Sequence, residues 1–139
     1  MTSGRFIYVL AVLLVLCPAV SCTRGDGFDK SDLDLDEVCL KVKGNVQFSF
    51  DPYSCQISFN RGRRQFRAGT DTMSDYFKLD MSSLPSETDQ TLVASISWTT
   101  SDDVASMSGL SFKVEKIGGD GMVWLWCAEQ RITVVMRLL

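Results

Sequence analysis

The sequence predicts an all-β protein, a single antiparallel meander folded as a sandwich or a small barrel of about eight or nine strands. From residue 38 onward, short runs alternate apolar and polar residues, which is typical of strands that bury one face. Turn-forming residues recur at short intervals along the same stretch, as they do in all-β sandwiches and barrels. No part of this stretch keeps its apolar residues at helical spacing.

The chain begins with a segment typical of an export signal. Residues 6–17 are all apolar, and Arg5 is the only charge before them. Twelve helical residues would cover about 18 Å, well short of the ~30 Å core of a bilayer. Pro18 and a few small residues end the run, as at a signal cleavage site. We therefore expect residues 1–21 to be a removable signal peptide.

The end of this segment predicts a lipid anchor. The residues Ala19-Val20-Ser21-Cys22 resemble a bacterial lipobox, in which a cysteine after small residues receives diacylglycerol and becomes the mature N-terminus. Ala19 departs from the usual leucine, and an ordinary signal peptidase would cut at the same bond. We expect lipidation of Cys22, and since two or more acyl chains hold a protein stably on a membrane, a tethered protein. The alternative is an unmodified, secreted chain.

Residues 22–37 are predicted to be a flexible, acidic tether, and residues 38–139 the β-domain. Residues 23–37 contain six acidic and two basic side chains and few apolar ones. Such a composition favours a solvated chain. The β-domain is long enough for one core and too short for two domains.

The strands are expected where alternating segments lie between turns. The predicted strands are residues 38–42, 46–50, 55–60, 64–69, 76–82, 91–99, 110–116, 122–127 and 131–138. Two polar stretches, 83–90 and 101–109, are predicted to be loops.

The first three strands are expected to form a meander. A hairpin over residues 43–45 keeps apolar residues on one face if Val38 lies opposite Phe50, Leu40 opposite Phe48, and Val42 opposite Val46. A second hairpin over residues 51–54 would place Phe50 opposite Cys55, Phe48 opposite Ile57, and Val46 opposite Phe59.

The last hairpin is the most apolar part of the domain. Its core face is predicted to pair Cys127 with Ile132, Leu125 with Val134, and Val123 with Met136. Cys55 and Cys127 would then both face the core. They are expected either to form a disulfide, which an envelope location permits, or to remain two free thiols.

Composition excludes several classes of function. Histidine is absent, which removes the usual general base and the commonest transition-metal ligand. The cysteines lack C-x-x-C spacing, so we expect no metal and no cofactor. Without Arg5 the chain has 13 basic and 17 acidic side chains, a net charge of −4, which argues against nucleic acid. With neither a phosphate loop nor a nucleophile elbow, we do not expect an enzyme.

Two groups of side chains are candidates for binding. Trp124 and Trp126 lie on the second face of the last hairpin, where they could stack on sugar rings or apolar ligands or simply cover the sheet; Trp98 is expected in the core. Basic residues also crowd one turn and could grip phosphate or carboxylate groups, or only keep that turn soluble. They are Arg61, Arg63, Arg64 and Arg67.

The signal with Cys22, the acidic tether and the tryptophan-containing β-domain together resemble the small uncharacterised envelope lipoproteins of Bacteroidales. The segments DTMSDYFKLDMSSLPS, SGLSFKVEKI and MVWLWCAEQRITVVMRLL are similar to stretches of such proteins. The resemblance implies an outer-membrane lipoprotein facing the periplasm or the cell surface. It brings no activity and no site residues with it.

We therefore expect a non-catalytic, lipid-anchored module of the cell envelope that binds a glycan or protein partner or has a structural role. One alternative is a secreted or periplasmic inhibitor or protective protein that blocks a partner enzyme through loop 83–90 or 101–109. Another is a carrier that holds a small apolar ligand in an enclosed cavity of about 300 Å³ or more.

Overall fold

The described part of the chain contains nine antiparallel strands, and the all-β prediction is confirmed. The computed structural model describes residues 27–138. The strands are β1 (Val38–Val42), β2 (Asn45–Phe50), β3 (Gln56–Asn60), β4 (Gln65–Gly69), β5 (Tyr76–Met81), β6 (Thr91–Thr99), β7 (Val104–Ile117), β8 (Met122–Cys127) and β9 (Ile132–Arg137). Within the described residues, no helix has the length and apolar character needed to span a membrane.

All nine strands belong to one curled sheet in the order β2-β1-β9-β8-β7-β6-β5-β4-β3. The chain runs as a meander from β3 to β9, and β9 then pairs with β1. Laid flat, nine strands would separate β2 from β3 by about 38 Å, since neighbouring strands lie about 4.8 Å apart. The link between them, residues 51–55, spans at most about 20 Å. The sheet must therefore curl, which makes the meander a small, open barrel.

The sheet folds over at the long strand β7, whose two parts pair with different strands. Its residues 113–117 pair with β8, whereas residues 104–113 pair with β6. The two halves of the sheet face each other, and the ring centroids of Phe48 on β2 and Phe77 on β5 lie 5.6 Å apart between them. Side chains from both halves therefore fill the space inside the curl.

Alternate residues of most strands point into this core, because successive side chains of a strand face opposite sides. Trp98 belongs to the core, as predicted. The largest fully buried side chains are Phe66, Phe77, Phe112, Leu40, Leu79, Ile96, Leu125, Ile132, Met136, Val38, Val114 and Val134.

The predicted pairing of β2 with β3 is wrong. Every neighbouring pair is antiparallel and there are nine strands, so the first and last strands of the order run in the same direction. They cannot form an antiparallel hairpin. Instead the Cys55 N–H donates to the Asp51 carbonyl at 3.1 Å, a single turn that carries the chain onward.

The β1–β2 hairpin confirms the predicted pairs Val38–Phe50 and Leu40–Phe48. A bulge between Leu40 and Lys41 then shifts the register, so Val42 lies opposite Asn45 and not Val46. Two residues with positive φ, Lys43 and Gly44, close the hairpin, as a type I′ turn requires.

The β8–β9 hairpin confirms all three predicted pairs, which join Cys127 to Ile132, Leu125 to Val134, and Val123 to Met136. Loop 83–90 is also found. Loop 101–109 is mostly wrong, because β7 already begins at Val104. The polar residues there form the solvent face of a strand, and Gly109, with φ +69°, lies at a register shift against β6.

Candidate functional site

The segment before β1 lies against the outer face of the sheet. Its 3-10 helix, Lys30–Asp34, begins after Asp29, whose Oδ1 accepts hydrogen bonds from the Ser31 N–H (2.9 Å) and hydroxyl (2.7 Å). These two bonds lower the pKa of Asp29. We call residues 28–35 the strap. Sequence composition placed them in a flexible tether; here they are packed, because the segment has apolar and acidic groups that find partners on the sheet.

Asp32 is the main polar attachment of the strap. Its side chain is buried, accepting a hydrogen bond from Lys41 Nζ at 2.7 Å and one from the Thr133 hydroxyl at 3.0 Å. Both carboxylate oxygens are thus paired, as a buried charge requires. Lys41 and Thr133 lie opposite each other on β1 and β9, so Asp32 fixes the strap across these two strands.

Trp124 is covered by the strap and does not form an exposed platform. It is only 5 % exposed. Its indole N–H donates to the Leu35 carbonyl at 3.1 Å. Lys116 Nζ lies 4.5 Å from the ring centroid and donates to the Leu33 carbonyl.

Trp126 is covered in the same way, at 6 % exposure. The ring of Phe28 packs against it with centroids 5.5 Å apart. Within the described chain its indole N–H has no hydrogen-bond partner. A crevice of about 200 Å³ lies beside it under the strap, lined by Gly27, Asp29, Asp32, Lys41, Gly44, Trp126, Arg131 and Thr133.

The four arginines predicted as a binding cluster do not converge on one point. Arg61 lies over the Phe59 ring at 5.3 Å, and Arg64 Nε donates to the Met81 carbonyl at 3.1 Å. Arg67 lies on β4, over the ring of Tyr76. Arg61, Arg63 and Arg64 are exposed in the turn between β3 and β4.

The cysteines at 39, 55 and 127 are free thiols, so the structure contains the second of the two alternatives for Cys55 and Cys127. Cys127 is fully buried in the core, and Cys55 lies in the turn before β3. Burial, and next the carboxylate of Asp32, raise the pKa of Cys39 to about 12. A thiol with this pKa is unreactive at neutral pH.

Sequence reasoning missed a cleft of about 540 Å³ at one end of the barrel. Four carboxylates surround it, and Tyr53, 68 % exposed, stands beside it. The Tyr53 hydroxyl donates to Asp120 Oδ2 at 2.5 Å, and Arg137 lies 4.5 Å from the Tyr53 ring centroid. The cleft is lined by Asp36, Glu37, Asp51, Pro52, Tyr53, Asp120, Met122 and Trp124.

The hydrogen bond between Tyr53 and Asp120 orders the rim of this acidic cleft. It raises the pKa of Tyr53 and lowers that of Asp120. The two residues are 67 positions apart in the chain and meet only because β1, β8 and β9 are neighbours. No local sequence pattern could have brought them together.

The cleft has the character of a site for cationic groups. Four carboxylates line it, and the guanidinium of Arg137 lies over the Tyr53 ring beside them. Across residues 27–138, no group of three or more His, Cys, Asp or Glu side chains has the geometry to hold a metal ion.

Comparisons with protein-family models, with curated proteins and with solved structures found no match. The function is therefore inferred from the geometry of this chain.

Proposed function

We propose that this protein is a non-catalytic, lipid-anchored module of the cell envelope whose barrel binds a cationic group of a partner protein. The observation that carries the proposal is the attachment of the strap. A buried carboxylate contributes little net stability, since desolvation opposes its ion pair, but it fixes position. Asp32 fixes the strap, which begins directly after Gly27, the described residue nearest in sequence to Cys22.

The direction of the strap supports this proposal. It starts beside Gly44 and Arg131, which line one crevice with Gly27. The two residues that follow it, Asp36 and Glu37, line the acidic cleft at the other end of β1. Five residue steps separate Cys22 from Gly27, a reach of about 18 Å at most. An acyl group on Cys22 would hold the first end close to the membrane.

The charge of the acidic cleft indicates the class of partner. Lysine and arginine side chains of a protein would meet carboxylates there, which favour cations through ion pairs, beside the Arg137 guanidinium that already lies over the Tyr53 ring. The anionic groups of glycans or lipopolysaccharide would be repelled there, and the arginines that could attract them are dispersed.

The anchor is tested on the native protein by intact mass and detergent partitioning, with Cys22→Ser beside the wild type. We expect acyl mass and partitioning into detergent for the wild type only, because a modified Cys22 would carry the lipid. An unmodified, water-soluble wild type would refute the anchor.

The cleft is tested with a decalysine peptide and two variants of equal charge change. We expect Asp51→Asn with Asp120→Asn to weaken peptide binding about tenfold, a loss of about 1.4 kcal/mol. Asp102→Asn with Asp103→Asn, in the exposed turn between β6 and β7, should change it far less. Titration calorimetry at two salt concentrations measures both effects, and equal losses in the two variants would show only non-specific attraction.

The inhibitor alternative has one specific observation in its favour. Loop 83–90 is held in shape by Gln90, whose Oε1 accepts from the Ser86 N–H at 2.7 Å and whose amide donates to the Leu84 carbonyl at 3.0 Å. A loop ordered before binding suits an inhibitor. The carrier alternative lacks such support, because side chains fill the interior of the barrel.

A further inference from the structure

The strand β3 is an open edge of the sheet. It pairs with β4 on one side, and no described strand pairs with it on the other. Its pairing with β4 is regular over all five residues. None of the five is charged, and none is proline or glycine. Edges are usually protected by charges, prolines or bulges, and β3 has none of these within the strand.

The other edge, β2, is protected. The register shift in its pairing with β1 places an extra residue, Gln47, in β2. Such a bulge twists an edge strand and interrupts regular pairing. A flat partner strand is therefore better accommodated by β3 than by β2.

β3 is complementary to itself. In an antiparallel pair centred on Ser58, each Ile57 lies opposite the partner's Phe59, and each Gln56 lies opposite the partner's Asn60. Ile57 and Phe59 are half-buried and contact the core, while the other three residues are exposed. This register places apolar residues on one face and amides and hydroxyls on the other, as strand pairing requires.

The charges that flank β3 are complementary in the same arrangement. The acidic cleft, with Asp51 and Tyr53, lies before the strand, and the exposed Arg61 and Arg63 follow it. We call the turn that carries Arg61 and Arg63 the arginine turn. When two copies pair antiparallel, the arginine turn of each reaches the residues before β3 of the other, with Arg63 at the level of the partner's Tyr53.

We propose that β3 pairs with β3 of a second copy of this chain, and that the arginine turn of each copy is the cationic group that meets the acidic cleft of the other. This inference rests on the proposed function and names the partner. Five paired residues bury less area than a stable interface in solution needs. Copies anchored on one membrane are concentrated there, which strengthens weak contacts without new ones. The anchored ends of an antiparallel pair point in opposite directions, so the paired strands would lie along the membrane surface.

Disulfide cross-linking tests the pairing. The full, acylated chain is placed in phosphatidylethanolamine–phosphatidylglycerol vesicles with Cys55→Ser, and Ser58→Cys is compared with Gln56→Cys. Residues on the two-fold axis lie directly opposite each other, within reach of a disulfide. The two copies of residue 56 would lie about 14 Å apart, four strand residues along. Both positions are exposed on the same face of β3.

We expect about tenfold more covalent dimer for Ser58→Cys than for Gln56→Cys, as the two separations require, and less dimer when Arg61→Glu and Arg63→Glu are added. Equal cross-linking of the two variants, or none, would overturn the pairing. Undiminished dimer after charge reversal would overturn the role of the arginine turn. Intact mass of the same samples tests whether the chain carries the lipid anchor. Decalysine binding to Ser58→Lys tests whether the acidic cleft binds cations. The anchor and the cleft are therefore tested separately from dimer formation.

Discussion

Phe77→Ala is expected to lower the free energy of unfolding by about 3–5 kcal/mol, the usual loss for a large aromatic residue in a core. Phe77 is fully buried on β5. Its ring packs against Phe48 from the opposite half of the sheet at 5.6 Å and against Phe66 on β4 at 5.9 Å. Its removal would leave a cavity at the place where the two halves of the barrel meet. Denaturant unfolding followed by circular dichroism measures the loss.

A conservative truncation on the outer face is the matched control. Val93 lies on β6 and is 47 % exposed, so Val93→Ala should change stability by about 0.5 kcal/mol or less. If Phe77→Ala were equally mild, Phe48 and Phe77 would not bridge a filled interior. The carrier alternative would then regain support, since a ligand cavity tolerates truncation of its lining better than a packed core does.

Local patterns predicted most of the strands, because alternation and turn chemistry are properties of neighbouring residues. The β8–β9 register follows from its apolar face in the same way. The predicted β2–β3 pairing was wrong because local patterns cannot determine it. The apolar pattern of residues 46–50 and 55–60 fits a hairpin as well as it fits two strands that do not pair. Only the pairing of β9 with β1, between the two ends of the domain, sets the directions of β2 and β3.

The candidate site was harder to predict than the fold. Trp124 and Trp126 were correctly placed on the second face of the last hairpin, but their cover comes from residues 28–35, whose acidic composition indicates solvated chain. The acidic cleft combines three separate parts of the sequence. The average composition of an acidic segment cannot show that one of its aspartates, Asp32, binds Lys41 and Thr133 on the sheet.

Asp32→Ala is the second substitution with a large expected effect, and it should lower the free energy of unfolding by about 2–3 kcal/mol. Breaking a buried ion pair by removing one partner typically costs about 3–5 kcal/mol, and the loss is smaller here because the Lys41 side chain is 18 % exposed and can turn to solvent. Thr133 would also lose the acceptor for its hydroxyl. Asp34, two residues along the same 3-10 helix, is exposed, so Asp34→Ala should change stability by about 0.5 kcal/mol or less.

The readout that distinguishes release of the strap from general unfolding is local. If Asp32 holds the strap in place, its loss should increase trypsin cleavage after Lys30 and shift the fluorescence of Trp124 and Trp126 to the red, because both rings would meet water. The β-sheet circular dichroism should persist, since the strands keep their own pairing. Unchanged cleavage and fluorescence in Asp32→Ala would mean that the apolar contacts of Phe28, Leu33 and Leu35 hold the strap without it. The position of the anchored end would then be set by those contacts, and the ion pair would have no part in it.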